Sequence, residues 1–124
     1  MNPETKIQNE CRLEAGKTDG VLMYRKQVGK YRHINFPEQV VTIGLPGQAD
    51  TTLMVEVEIT PEMVGKRIAI GVEVEFKTPT GRQSGVQKNW QRAVESIAGK
   101  YYIIRSREEF TQLISNIKRG ILWD

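Results

Sequence analysis

Ten consecutive residues, Ile68 to Lys77 (Ile-Ala-Ile-Gly-Val-Glu-Val-Glu-Phe-Lys), constrain this chain more than any other stretch. A strand points successive side chains to opposite faces, so Ile70, Val72, Val74 and Phe76 share one side while Glu73, Glu75 and Lys77 share the other. The first side belongs to a core. The second sets two carboxylates next to each other, a repulsive arrangement unless a lysine or a divalent cation offsets it. Glu75 and Lys77 make a Glu-x-Lys pair, a carboxylate able to hold a metal beside an ammonium able to position water. The same spacing recurs at Glu4-Thr5-Lys6 in the context of a helix start, so the pair acquires meaning only from its strand and its neighbours. On its own it equally describes a solvated sheet face.

The flanking segments supply those neighbours. Asn2 and Pro3 read as N-cap and first residue of a helix ending near Ala15 before Gly16. Ile7 and Cys11 are expected on its apolar side, together with Leu13 or Ala15. Glu4, Gln8 and Cys11 fall on one stripe, where Glu4 serves either the helix dipole or a site beyond it. Lys17 to Gly20 is turn chemistry, followed by a strand over Val21 to Arg25. Arg25, Lys26, Lys30 and Arg32 then cluster around Tyr24 and Tyr31, a composition shared by phosphate-contacting loops and solvated hairpins. His33 is the sole histidine, which excludes a His-pair zinc site and most His-based triads.

Gly44 to Asp50 is a loop that delivers Asp50 to a strand over Thr51 to Ile59. Pro61 to Gly65 reverses the chain, with Thr60 as a candidate cap, so this strand and the Ile68–Lys77 strand are expected to be antiparallel neighbours. That pairing would bring Asp50 beside Glu75 and Lys77. Thr78 to Gly81 breaks the strand, and a helix over Ser84 to Ala98 carries Val86, Trp90, Ala93, Val94 and Ile97 before Gly99 stops it. Tyr101 to Ile104 reads as a short strand, and Ser106-Arg107-Glu108-Glu109 as a capping box opening the last helix. The expected order is α-β-β-β-α-β-α in a single α/β domain over 1–124, a mixed β-sheet flanked by helices.

Composition narrows the setting. No run approaches the roughly 18 apolar residues of a membrane span, the N-terminus lacks the apolar core of a secretory signal, and one cysteine, Cys11, forms no internal disulfide. These features suggest an intracellular, cytoplasmic protein without a membrane partner. A net charge of +3 and a pI near 9.1 suit a polyanionic partner.

Taken in order, these segments resemble the virus-type replication-repair nuclease domain of the PD-(D/E)xK superfamily, whose fold is restriction-endonuclease-like. Glu4-Thr5-Lys6-Ile7-Gln8 is similar to that family's first-helix E-x-x-I-Q, and Tyr24 to Gly29 to its aromatic-Arg-x-x-x-Gly segment. Gly44 to Asp50 resembles the loop carrying the metal-binding aspartate. Val74 to Lys77 matches the E-x-K strand, Gly81 to Gln87 with Trp90 the glycine-to-glutamine segment, and Tyr101 to Ser106 the strand and cap that follow. The chain departs from the pattern at Ala49, where the superfamily label has proline, and in the extra turn at Pro61 to Lys66, as in phage-type members.

The resemblance implies a metal-dependent endonuclease acting on branched DNA such as four-way junctions, as a homodimer. Asp50, Glu75 and the backbone carbonyl of Phe76 would hold Mg²⁺ or Mn²⁺, hard ligands for hard ions. Glu4 would assist through water or a second ion, with Glu10 the fallback if the helix is rotated. Lys77 would orient the attacking water, and Gln87 would fix Lys77 or the water. Arg25, Lys30, Arg32, Arg82, Lys88 and Arg92 are the candidate phosphate contacts. Glu73 stays outside the site. A non-catalytic binding module for branched or single-stranded nucleic acid, and a nuclease for flaps or single strands, are the competing expectations.

Overall fold

The computed structural model describes residues 2–26, 29–45, 47–49 and 51–122, and Asp50 lies outside them. The chain is a mixed α/β protein whose contacts gather into two compact units, Met1–Val55 and Glu56–Asp124.

In the first unit, helix α1 (Pro3–Lys17) opens where Asn2 and Pro3 predict: the Asn2 side chain accepts the Glu4 N–H at 2.7 Å. It runs through Gly16, and the Thr18 hydroxyl then closes it on the Glu14 carbonyl at 2.8 Å. Its expected apolar side is covered only at Ala15. Ile7, Cys11 and Leu13 are exposed, whereas Gln8, Asn9 and Ala15 are half-buried. Gln8 explains the rotation, because its amide donates to Thr51 Oγ1 at 3.3 Å. Strand β1 (Val21–Arg25) pairs antiparallel with β4 (Thr51–Val55), and between them β2 (Gly29–Arg32) pairs antiparallel with β3 (Val40–Ile43).

Two strand expectations are therefore corrected. Strand β4 pairs with β1 and stops at Val55 instead of running on to Ile59, because β1 offers five residues to pair with. The hairpin partner β3 adds a strand that the sequence reading omits, although the β-branched run Val40-Val41-Thr42-Ile43 suits one.

The second unit begins with a single 3₁₀ turn at Pro61–Met63 and continues through β5 (Glu73–Phe76), α2 (Gly85–Glu95), β6 (Tyr101–Ile104) and α3 (Arg107–Lys118). Among the described residues five strands, not three, lie between α1 and α2. Strand β5 is four residues long instead of ten, matching the length of β6, with which it pairs in parallel. Parallel neighbours need a crossover, and α2 provides it. Both later helices pack on β6, and the buried apolar residues are Val94 of α2, Ile104 of β6 and Leu113 of α3. The centre of this unit is thus β6, and on the expected core face of β5 Val72 and Val74 are half-buried while Phe76 is 67% exposed.

Helix caps are assigned by hydrogen bonds. Ser84 and Gln87 form a complete capping box on α2, and Ser106 Oγ accepts the Glu109 N–H at 3.1 Å on α3. There the Glu109 carboxylate reaches back to the Arg105 N–H at 2.7 Å, one residue earlier than a box requires. After α2, Ala98 adopts φ 64° while Gly99 N–H closes on the Val94 carbonyl at 3.0 Å. An alanine in the left-handed region carries a steric cost that glycine lacks. Ala98→Gly is expected to raise unfolding free energy by roughly 0.5–1 kcal/mol, checked by urea denaturation; a loss of stability would contradict the strain.

Candidate functional site

The parallel register sets Glu73 opposite Tyr101 and Glu75 opposite Ile103. Paired residues in a sheet share a face, so Tyr101 stands diagonally next to Glu75, and its hydroxyl donates to Glu75 Oε1. Gln83, just ahead of the α2 cap, donates its amide to the same oxygen at 3.1 Å and to Gln91 Oε1 at 2.8 Å. Gln91 in turn donates to Glu95 Oε2 at 3.4 Å. Arg105 holds the loop that delivers Gln83, donating to the carbonyls of Thr78 at 2.7 Å and Gly81 at 2.6 Å.

Glu75 is 8% exposed, the buried charged residue among those described. Its Oε1 accepts two hydrogen bonds. Its Oε2 is buried, accepts no hydrogen bond within the described residues, and faces Lys77 Nζ at 3.7 Å. Burial pushes the carboxyl pKa up, but the Tyr101 and Gln83 hydrogen bonds and the Lys77 charge together outweigh it and hold the group below the ordinary carboxylate range. The ionised form is therefore favoured in spite of the burial.

Two oxygens here fit a hard cation. One is the orphaned Oε2. The other is the Phe76 carbonyl: Glu73 and Lys77 donate their N–H groups to Lys100 and Ile104 of the β6 segment, so by alternation the Phe76 backbone faces the opposite edge of β5, unpaired among the described strands. No group of three or more His, Cys, Asp or Glu gathers among the described residues. Glu4 is exposed at the start of α1, one turn before Gln8 on the stripe that meets Thr51, while Glu10 lies about 200° around the helix from Gln8.

Gln87 is placed differently from the expectation. Its side-chain Oε1 accepts the Ser84 N–H at 2.9 Å and its backbone N–H donates to Ser84 Oγ at 3.1 Å, so it caps α2. The side-chain amide at Glu75 is that of Gln83, four residues earlier. Arg25, Lys30, Arg32, Arg82, Lys88 and Arg92 are all exposed; Arg32 donates to the Pro37 carbonyl at 2.9 Å, Arg92 to Asn89 Oδ1, and Lys88 shares a stripe of α2 with Arg92. Sequence reasoning missed Gln83, Gln91 and Tyr101. Only the last had a usable signal, since a strand–helix–strand unit implies parallel pairing and so places an in-phase tyrosine on the Glu75 face.

Tyr101 carries the complementary shift: burial, the hydrogen bond to Glu75 and that residue's charge push its phenol to about 12 from 10.0. A raised folded-state pKa means stability that is complete below pH 10.0 and lost as pH climbs through about 12. One of the four tyrosines is expected to ionise near that value in an ultraviolet absorbance titration, and Tyr101→Phe to remove both this late step and the matching alkaline loss of stability. Four tyrosines titrating together near 10 would contradict the buried hydrogen bond.

The chain was compared with protein-family models, with curated proteins and with solved structures, and none of the three gave a match.

Proposed function

We propose that this protein is a metal-dependent endonuclease with a restriction-endonuclease-like fold, hydrolysing phosphodiester bonds in branched DNA, with four-way junctions as the leading substrate and a homodimer as the acting form in the cytoplasm. The observation that carries the reading is the buried, ionised Glu75 whose Oε2 lacks a hydrogen-bond donor and faces Lys77. A glutamate that only solvates a sheet face would be exposed, whereas Glu75 is buried with Oε2 opposite an ammonium and without a hydrogen bond among the described residues. The Glu-x-Lys spacing on β5, the parallel β5–β6 pair bridged by α2, and the ordered resemblance along the chain support it further.

Glu75 Oε2 and the Phe76 carbonyl would hold Mg²⁺ or Mn²⁺, with Asp50 as the second carboxylate on the strength of the resemblance and Glu4 as an outer helper. When bound, such an ion supplies charge neutralisation at the phosphate and lowers the pKa of water toward neutrality. Lys77 orients the attacking water and meets negative charge as it builds on the phosphoryl oxygens. Exposed Arg82, Lys88 and Arg92 in the second unit, and Arg25, Lys30 and Arg32 in the first, contact the phosphate backbone. Among the described residues no helix is long and apolar enough to cross a membrane.

A second reading, a nucleic-acid-binding module without catalysis, draws on a hollow of about 610 Å³ where Phe76 and Phe110 lie beside Lys77, Arg105 and Arg107. Exposed aromatic rings next to cations are what single strands stack on. Labelled four-way junctions, incubated with Mg²⁺, Mn²⁺ or EDTA, separate the two. The nuclease reading expects paired nicks that EDTA abolishes, no cleavage by Glu75→Ala or Asp50→Ala, and a loss of about a hundredfold or more in Lys77→Ala with junction binding retained. Retarded bands without nicks under every metal condition would favour the binding module, and full cleavage by folded Glu75→Ala would remove the assignment.

A further inference from the structure

We propose that Gln83 and Tyr101 are positioning residues that decide which oxygen of Glu75 is offered to a cation, an inference that rests on the metal-nuclease reading. The terminal torsion of a glutamate is broad, so a free side chain would present either oxygen or both. Here Oε1 is occupied by two donors from different elements, the Tyr101 hydroxyl of β6 and the Gln83 amide ahead of α2, while Oε2 accepts no hydrogen bond among the described residues and faces only the Lys77 ammonium at 3.7 Å. The carboxylate is thereby set to bind through Oε2 alone.

The Gln83 amide has little choice of orientation. Its NH₂ group faces two acceptors, Glu75 Oε1 at 3.1 Å and Gln91 Oε1 at 2.8 Å, and a reversed amide would set oxygen against oxygen at both. Gln91 and Glu95 lie one turn apart on α2 and are themselves hydrogen-bonded. A polar chain therefore runs along α2 to the carboxylate, and Arg105, by gripping the Thr78 and Gly81 carbonyls, holds the loop at its other end. The position of helix α2 is in this way coupled to the direction of one ligand oxygen. Removal of an outer partner of a metal ligand characteristically weakens metal binding without removing the ligand.

The test measures Mn²⁺ binding by electron paramagnetic resonance, alongside cleavage as a function of Mn²⁺ concentration, for the wild-type chain, Gln83→Met, Tyr101→Phe and Glu75→Gln. Gln83→Met keeps the side-chain length without the donors; Tyr101→Phe deletes one oxygen and decides the matter alone should the first variant fail to fold. In both positioning variants the Mn²⁺ dissociation constant is expected to rise about ten- to a hundredfold, with cleavage recovering toward the wild-type maximum at saturating Mn²⁺. Glu75→Gln is not rescued. Wild-type affinity in the two variants, or a cleavage defect that excess Mn²⁺ leaves in place, would overturn the positioning role while sparing the nuclease reading. A wild-type chain that binds no Mn²⁺, or binds it unchanged in Glu75→Gln, would overturn both.

Discussion

A carboxylate kept charged inside a protein must be compensated, and in this chain the compensation shapes the surroundings of Glu75. Burial favours the neutral acid; a phenol, an amide and an ammonium reverse that preference. Each compensating group arrives from a different segment. Tyr101 comes from the neighbouring strand, Gln83 from the connection into α2, and Lys77 from two residues further along the same face. Strand register, crossover loop and helix start must therefore all be right for one acid to stay ionised. Removing any one partner would leave part of a buried charge unmet, which is costlier than never having buried it.

The same arrangement explains why the unit is centred on β6. Both α2 and α3 pack on that strand, and the three elements each supply one buried apolar residue, Val94, Leu113 and Ile104. Strand β5 lies at its side, with one backbone edge unpaired among the described strands and an exposed phenylalanine. An acid on such a strand is buried by the groups reaching over it rather than by depth in a core.

Local rules made much of this legible. The Asn2-Pro3 start, the strand at Val21–Arg25, the Ser84 and Ser106 caps and the strand at Tyr101–Ile104 all follow from capping and short-range pattern. Strand ends and partners were not legible in the same way. The apolar alternation continues through Ile68 and past Val55, but a ladder extends only as far as its partner does, and partner length is a property of pairing rather than of either segment. Gln87 illustrates the limit at the candidate site. A glutamine three residues after a serine serves a helix cap or a site equally well on paper, and the hydrogen bonds assign it to the cap, with Gln83 turned to the carboxylate instead. Asp50 lies outside the described residues, so its place beside Glu75 remains a proposal from the resemblance.

The most direct measurement is anomalous diffraction from a crystal of the wild-type protein soaked in manganese. An ion within bonding distance of Glu75 Oε2, about 2.2 Å for a hard oxygen ligand, with Oε1 still held by Tyr101 and Gln83, is the predicted result. Clear density for Glu75 with Lys77 closed onto Oε2 in a direct hydrogen bond and no ion nearby would contradict it, because the unmet oxygen would then have found its partner within the chain.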